Sequence, residues 1–252
     1  MQGKLCSVCG ERVLSSYAGL DPDGLRRCPV CRRVEPLFER AVAFGSYDAE
    51  LRELIHLLKY NGVRPAANVL GRMLAEAITS IDSSFEQATV LVVPVPLFKA
   101  KRRQREFNQA ELIARASLQC LPHPLRTALV LAPDLLVRTR DTHSQIGLTS
   151  HQRRENLRGA FAVPRATEVT GREVLLVDDV YTTGTTASEC TRVLRRAGAS
   201  KVWVATVART LKLASKYLEV DGEGENESFK VSGFQGFKDE SQSEANLETM
   251  KP

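Results

Sequence analysis

Two adjacent carboxylates and the hydroxyl-rich loop after them are the residues of this 252-residue chain best suited to chemistry. They lie between Glu173 and Ala187, in the stretch EVLLVDDVYTTGTTA. The apolar run 174–177 predicts a buried strand of a parallel sheet that is covered on both faces. We expect this strand to end before Asp178 and Asp179, because a longer strand would direct one unpaired charge into the core.

The loop after the aspartates has the chemistry of a phosphate site. Backbone N–H groups, four threonine hydroxyls and a glycine come from Val180, Tyr181, Thr182, Thr183, Gly184, Thr185 and Thr186. A helix predicted from about Ala187 to Ala197 adds the positive end of its dipole. Because ligands of parallel sheets bind beyond the carboxyl ends of the strands, these groups favour a ligand with a phosphate and vicinal hydroxyls, such as a ribose 5-phosphate. An acidic turn before a capped helix, with no ligand, is the alternative.

Two pairs of cysteines have the spacing of zinc ligands. Cys6 and Cys9 form one C-x2-C pair, Cys28 and Cys31 form another, and 18 residues separate the pairs. This is the spacing of a four-thiolate zinc site. We predict a structural zinc, because four thiolates leave no open position and the module has too few apolar residues for a core. Disulfides are the alternative, but the N-terminus MQGKLC lacks an export signal, so we expect a cytoplasmic protein with reduced thiols.

A strongly basic segment, KAKRRQR at 99–105, has five basic residues in seven. It follows a β-branched run, Thr89 to Val95, that predicts a central strand. The segment should therefore lie at the same edge of the sheet as the aspartates, where arginines can bind a diphosphate in bidentate fashion. We predict anion contacts from Lys101, Arg102, Arg103 and Arg105. A solvated charged loop is the alternative.

Charge is unevenly distributed along the chain. Five lysines and nine acids give residues 212–252 a charge of −4, so the remainder carries +5 − (−4) = +9. A basic body favours anionic ligands. A hydrophobic content of 43% supports one large domain with a small module. No apolar run approaches the roughly 18 residues of a membrane span.

The remaining pattern predicts an α/β domain with a parallel sheet flanked by helices. Strands are predicted at 41–47, 89–95, 134–137, 160–163, 174–177 and 201–208. Helices are predicted at 51–58, 66–81, 107–121 and 187–197. We expect Cys120 and Cys190, which lie singly in helices, to be core residues.

The motif VLLVDDVYTTGTT resembles the phosphoribosyl-pyrophosphate (PRPP) signature of type I phosphoribosyltransferases. The wider pattern resembles the ComF family, competence-associated proteins with a zinc ribbon before such a domain. The resemblance covers about residues 5 to 210. It implies a type I phosphoribosyltransferase-like fold that binds PRPP with Mg²⁺.

The resemblance also implies roles for individual residues. Asp178 and Asp179 would hold the ribose hydroxyls directly or through Mg²⁺, and residues 181–186 would hold the 5′-phosphate. Lys59 and the basic segment would face the pyrophosphate. Glu106 stands where the family usually has a glycine. Residues 138–159 resemble the family's flexible loop, with the matching landmarks Gln145, Arg153 and Asn156. A surface hairpin with a helix from Thr149 is the alternative for this loop.

We interpret the chain as a zinc ribbon (1–36), a phosphoribosyltransferase-like domain (37–211) and a disordered acidic tail (212–252). Two functions remain open. The first is transfer of phosphoribosyl to an unknown acceptor, or a role in DNA uptake with a competence-machinery partner. The second is non-catalytic binding of single-stranded DNA, which a zinc ribbon and a basic body also favour. An aromatic content of only 6% counts against base stacking.

Overall fold

The computed structural model describes residues 4–13, 20–22, 24–141 and 150–211, all within one compact unit, Met1–Ala214. The strands are β1 (Lys4–Leu5), β2 (Arg12–Val13), β3 (Arg40–Ser46), β4 (Val90–Pro94), β5 (Leu129–Leu131), β6 (Val137–Arg138), β7 (Phe161–Ala162), β8 (Glu173–Tyr181) and β9 (Lys201–Arg209). The helices are α1 (Pro29–Arg33), α2 (Ala49–Tyr60), α3 (Ala66–Thr79), α4 (Lys99–Arg105), α5 (Gln109–Cys120), α6 (His123–Ala128), α7 (Ser150–Leu157) and α8 (Thr185–Arg196). Gln145 and the predicted tail 212–252 lie outside the described residues.

Five parallel strands in the order β3-β9-β8-β4-β5 form the central sheet. Strand β8 occupies the middle, and its residues 174–177 are fully buried, as the apolar run predicts. Alternate residues of this strand face opposite cores, since side chains alternate along a strand. Val174 and Leu176 belong to one core, and Leu175 and Val177 to the other. The predicted α/β fold with a parallel sheet is confirmed.

The two cores are covered by different elements. Helices α2, α3 and α5 cover one face with buried side chains that include Ile55, Leu74 and Ile113. Helix α8 covers the other face through Cys190 and Leu194. The four cysteines of the N-terminal segment belong to this second core, together with Val8, Val13 and Phe38. The N-terminal segment therefore packs on the same face of the sheet as α8, and the boundary at residue 36 stays a prediction.

Several local predictions are wrong. Of the strand expected at 134–137, residues 134–136 form a turn and a bend, and only Val137 belongs to a strand, β6, which pairs antiparallel with β7. Strand β5, which completes the sheet beside β4, was not predicted. Cys120 is exposed, because the last turn of α5 directs it away from the core, whereas Cys190 is buried as predicted. Within the described residues, no helix has the length and apolar character required to cross a bilayer.

Candidate functional site

The two aspartates lie inside strand β8, so the prediction that the strand ends before them is wrong. The strand continues to Tyr181 because β9 pairs with it beyond the end of β4, with Asp178 opposite Thr206. The expected unpaired charge has a partner: Lys59 Nζ lies 2.7 Å from Asp179 Oδ2. Asp179 is buried (4% exposed), while Asp178 on the opposite face keeps part of its surface. The ion pair with Lys59, on a helix distant in sequence, thus compensates the buried charge, and the strand does not end where the sequence favours.

The electrostatics of this pair are unusual. Burial, reinforced by the charge of Asp179, raises the pKa of Asp178 to about 8. Its Oδ1 accepts a hydrogen bond of 2.9 Å from the backbone N–H of Asp179. Burial lowers the pKa of Lys59, but the charge of Asp179, the hydrogen bond with Asp179 and the charge of Asp178 together more than offset burial, so that this pKa is raised. The site therefore holds Asp179 in contact with Lys59, beside a carboxyl whose pKa is raised to about 8, a pattern typical of functional sites.

The predicted phosphate loop links β8 to α8. Only Thr182, Thr183 and Gly184 lie between the two elements, because α8 begins at Thr185 and not at Ala187. Gly184 has a positive φ of 76°, and an added Cβ would lie 2.2 Å from Tyr181 Oη. Glycine is thus required here by conformation and by space. As the residue before α8, Gly184 has no side chain to cap the first helical N–H groups, which remain available to an anion.

The basic segment forms helix α4 and not a loop, although Arg102 and Arg103 are solvated as the alternative expects. Lys101 and Arg105, one turn apart, line a groove of about 440 Å³ together with Lys59, Tyr60 and Phe107. The Arg105 guanidinium lies 5.2 Å from the centre of the Tyr60 ring. The helix therefore presents two of its predicted site residues to the groove that contains Lys59.

The other two predicted cations of α4 lie elsewhere. Arg102 is exposed and approaches Glu111 at 3.9 Å, and Arg103 is also exposed. At the end of the helix, Glu106 has a φ of 66° and so adopts the left-handed conformation that a glycine would favour. Its carboxylate contacts Arg64 at 3.2 Å on the surface.

The predicted flexible loop is described only in part. Arg153 and Asn156 lie on α7, and the strands β6 and β7 that flank the loop pair as a hairpin. This part matches the alternative of a hairpin with a helix. Arg140 Nη2 donates to the backbone oxygens of Asn156 and Arg158 at 3.0 and 2.9 Å, which ties the two ends of the segment together.

The four N-terminal cysteines converge as a metal site requires. Their sulfur atoms all lie within 4.8 Å of one another, the side chains are buried, and the thiols are free. Cys9 Sγ and Cys28 Sγ are 3.7 Å apart. A tetrahedral zinc with Zn–S bonds of about 2.3 Å separates its sulfurs by about 3.8 Å, so the donor set and spacing fit this metal. Hydrogen bonds within the cluster lower the pKa of Cys6 and Cys28 and raise the pKa of Cys9 and Cys31.

One residue that sequence reasoning did not assign to the site is Arg209, at the end of β9. It is 6% exposed, and its Nη2 donates to Glu11 Oε2 at 2.9 Å. It borders a cavity of about 340 Å³ between the second cysteine pair and the loop that starts at Thr182. A single arginine at the end of the apolar run KVWVATVA is the signal that marks it in the sequence.

A parallel five-stranded sheet with a phosphate-type loop after its central strand defines a phosphoribosyltransferase-like protein, and residues 113–236 match the family model described as "Phosphoribosyl transferase domain". Competence protein F of Haemophilus influenzae is 31% identical over 212 residues, which cover 81% of this chain and 90% of that protein. DNA utilization protein YhgH of Escherichia coli K12 is 32% identical, over 82% of this chain and 91% of that protein. The chain belongs to the ComF family.

More distant matches are also found. Competence protein ComFC of Bacillus subtilis is 25% identical over 78% of this chain and 73% of that protein. Among solved structures, the allosteric regulatory enzyme of purine biosynthesis is 22% identical, over 57% of this chain and 26% of that one, with a TM-score of 0.35. A similarity this weak supports no inference about function.

Proposed function

We propose that the protein binds PRPP with Mg²⁺ at the carboxyl edge of its sheet and transfers the phosphoribosyl group to an acceptor. The observation that carries the proposal is the meeting of three features at the end of β8. These are the Asp178–Asp179 pair with Lys59, the glycine loop at the start of α8, and the basic groove beside α4. They match the three parts of PRPP: a ribose with vicinal hydroxyls, a 5′-phosphate and a pyrophosphate.

Each part of the site has a role in this proposal. The loop N–H groups and the threonine hydroxyls at 182–186 bind the 5′-phosphate, and Asp178 and Asp179 bind the ribose hydroxyls or Mg²⁺. Bound Mg²⁺ supplies charge neutralisation for the pyrophosphate. As the bond at the anomeric carbon breaks, positive charge grows on the ribose, and the aspartates stabilise it. Lys59 holds the Asp179 side chain in place through their contact of 2.7 Å.

We assign the departing pyrophosphate to Lys101 and Arg105, since these two side chains of α4 line the groove. Arg102 and Arg103 are exposed outside this groove, so their substitution is a matched control on the same helix. We expect the Lys101→Met/Arg105→Met variant to bind PRPP at least tenfold more weakly but ribose 5-phosphate unchanged. The Arg102→Met/Arg103→Met variant should bind both ligands as the wild type does. Equal reductions of PRPP affinity in both variants would refute the assignment, because each variant removes two positive charges.

We also propose that the four cysteines hold one structural zinc, on the basis of the sulfur spacing. Free thiols of this kind belong in a reducing compartment, so the cytoplasm is the proposed location. The family relatives named for competence and DNA utilization support a role in the handling of incoming DNA, together with partner proteins of that machinery.

Binding of single-stranded DNA is the second candidate function. The observation that favours it is the exposed pair Arg102 and Arg103, which the PRPP site does not use, on the same helix as Arg105, which contacts the exposed ring of Tyr60. Exposed cations bind DNA phosphates, and an aromatic ring can stack on a base. We expect the Arg102→Met/Arg103→Met variant to lower the slope of log affinity against log salt by roughly 1.4, since each neutralised phosphate of a single strand accounts for about 0.7. An unchanged slope would remove these arginines from the DNA proposal.

A further inference from the structure

Arg209 joins the four-cysteine cluster to the phosphate loop through direct contacts on both sides. On the cluster side, Nη1 donates to the backbone oxygen of Cys9, and Nη2 lies 3.8 Å from Cys9 Sγ and 2.9 Å from Glu11 Oε2. On the loop side, the guanidinium carbon lies 4.7 Å from the centre of the Tyr181 ring, a cation–π distance. One buried side chain thus contacts a metal-ligand residue and the last residue of β8.

Tyr181 in turn packs against the loop. The Tyr181 Oη atom lies 2.2 Å from the position that a Cβ on Gly184 would occupy, so the glycine rests directly on the phenol. Phe38 holds the other side of the ring in an edge-to-face contact, with the ring centres 6.4 Å apart. The backbone oxygen of Tyr181 accepts a hydrogen bond of 2.9 Å from Thr210 N. A shift of the Tyr181 ring would therefore remove the surface that fixes Gly184.

The contacts of Arg209 with Cys9 make its position depend on the metal. A Zn²⁺ ion with four thiolates carries a net charge of −2, and the Arg209 cation lies beside this charge in a buried position. Without metal, the four cysteines are no longer held to one centre, so the Cys9 backbone oxygen that accepts from Arg209 Nη1 loses its fixed position. Among the described residues, Arg209 Nε has no hydrogen-bond partner. The position of Arg209 is thus set by the two Nη groups, both of which contact the cysteine-bearing segment.

We propose that Arg209 is a positioning residue that makes the order of the phosphate loop depend on metal at the four-cysteine cluster. The expected consequence is tighter binding of a 5′-phosphate when the metal is present, and this part of the inference rests on the proposed function. Coupling between two sites is reciprocal. A ligand at the loop should therefore also slow the release of zinc from the cluster.

Two backbone amides report on the loop without any ligand. Ser188 N donates to Gly184 O at 2.8 Å, and Thr210 N donates to Tyr181 O at 2.9 Å. In the full-length wild type, we expect removal of zinc by a chelator to raise hydrogen exchange at these amides about tenfold, within the usual range for coupled sites. In Arg209→Met, exchange should already be raised in the zinc-loaded protein, and removal of zinc should add less than about twofold. Metal analysis should give one zinc per chain in each zinc-loaded sample before the chelator is added.

Controls separate this coupling from general loss of structure. Amides of β4, on the far side of β8, should stay protected in every sample. The Arg115→Met variant removes an exposed arginine of α5 and should behave as the wild type does. If Arg209→Met does not fold, Arg209→Lys carries the test: it keeps the charge but cannot contact Cys9, Glu11 and Tyr181 together, so an intermediate exchange rate is expected.

The outcomes distinguish the inference from the proposed function. Unchanged exchange after zinc removal in the wild type would overturn the inference, and so would an equal rise in the wild type and in Arg209→Met. Ribose 5-phosphate titrated into the zinc-loaded wild type tests the loop separately. If it does not bind while exchange responds as expected, the proposed function fails and the coupling stands. If it binds equally with and without zinc, the coupling fails and the phosphate site stands.

Discussion

Replacement of Asp178 by asparagine should stabilise the protein at alkaline pH while it removes ligand binding. Burial, together with the charge of Asp179, raises the pKa of Asp178 from its ordinary 3.8 to about 8. Between these values the folded state binds a proton that the unfolded state does not, so the stability of the wild type falls as pH rises from about 4 to about 8. Asparagine does not titrate, and its Oδ1 can keep the hydrogen bond from Asp179 N.

The magnitude follows from the size of this shift. A difference of about 4 pKa units, at 1.36 kcal/mol each, sets a ceiling of roughly 6 kcal/mol. Asp178 keeps part of its surface, and solvent screening reduces the gain, so we expect about 1–3 kcal/mol at pH 9. At pH 5, which is only about one unit above the ordinary pKa of 3.8, the difference between variant and wild type should be no more than about a third of its value at pH 9.

Urea unfolding of the zinc-loaded protein at pH 5, 7 and 9 measures this difference. Asp82→Asn, at an exposed aspartate, is the matched control and should stay within about 0.5 kcal/mol of the wild type throughout. A variant at Asp178 that is no more stable than the wild type at pH 9 would refute the reasoning. So would a gain in stability that does not change with pH, since it would not arise from titration of this carboxyl.

Three further predictions concern the elements around the aspartates. Lys59→Met leaves Asp179 buried without its cation and should lower the free energy of unfolding by about 3 kcal/mol, an effect that Asp179→Asn in the same chain should largely reverse. Gly184→Ala should cost about 2 kcal/mol more than Gly62→Ala, because both glycines have positive φ but only at Gly184 does the new Cβ meet a neighbour, Tyr181. Equal costs at the two glycines would show that the Tyr181 ring does not restrict this position. Chelation should release one zinc per chain and lower the melting temperature by several degrees, and a metal-free sample with an unchanged melting curve would contradict a structural metal.

Patterns that depend on short stretches of sequence predicted much of the fold. The apolar run 174–177 is the centre of the sheet, and the spacing of the cysteine pairs brings their four sulfurs together. Helix periodicity located α2 and α3 to within a few residues. In each case the local sequence contains the physical cause, which is burial on two faces, ligand spacing or an amphipathic stripe.

What the sequence did not predict depends on contacts between distant residues. The end of β8 was misplaced because Lys59, which neutralises Asp179, lies on a helix far earlier in the chain. Helix formation divides the cations of α4 into two pairs, and a run of charges does not predict that helix. Lys101 and Arg105 line the groove, whereas Arg102 and Arg103 lie outside it. The role inferred for Arg209 likewise requires that strand β9 end beside the cysteine cluster.

The central claim is that the carboxyl edge of the sheet binds PRPP through the two aspartates. Calorimetric titration of PRPP with Mg²⁺ into the zinc-loaded wild type and into Asp178→Asn/Asp179→Asn tests it most directly, with Asp82→Asn as the control. We predict one site per chain in the wild type and in the control, and at least a hundredfold loss of affinity in the double variant. Absence of binding to the wild type, or equal binding to the double variant, would contradict the claim.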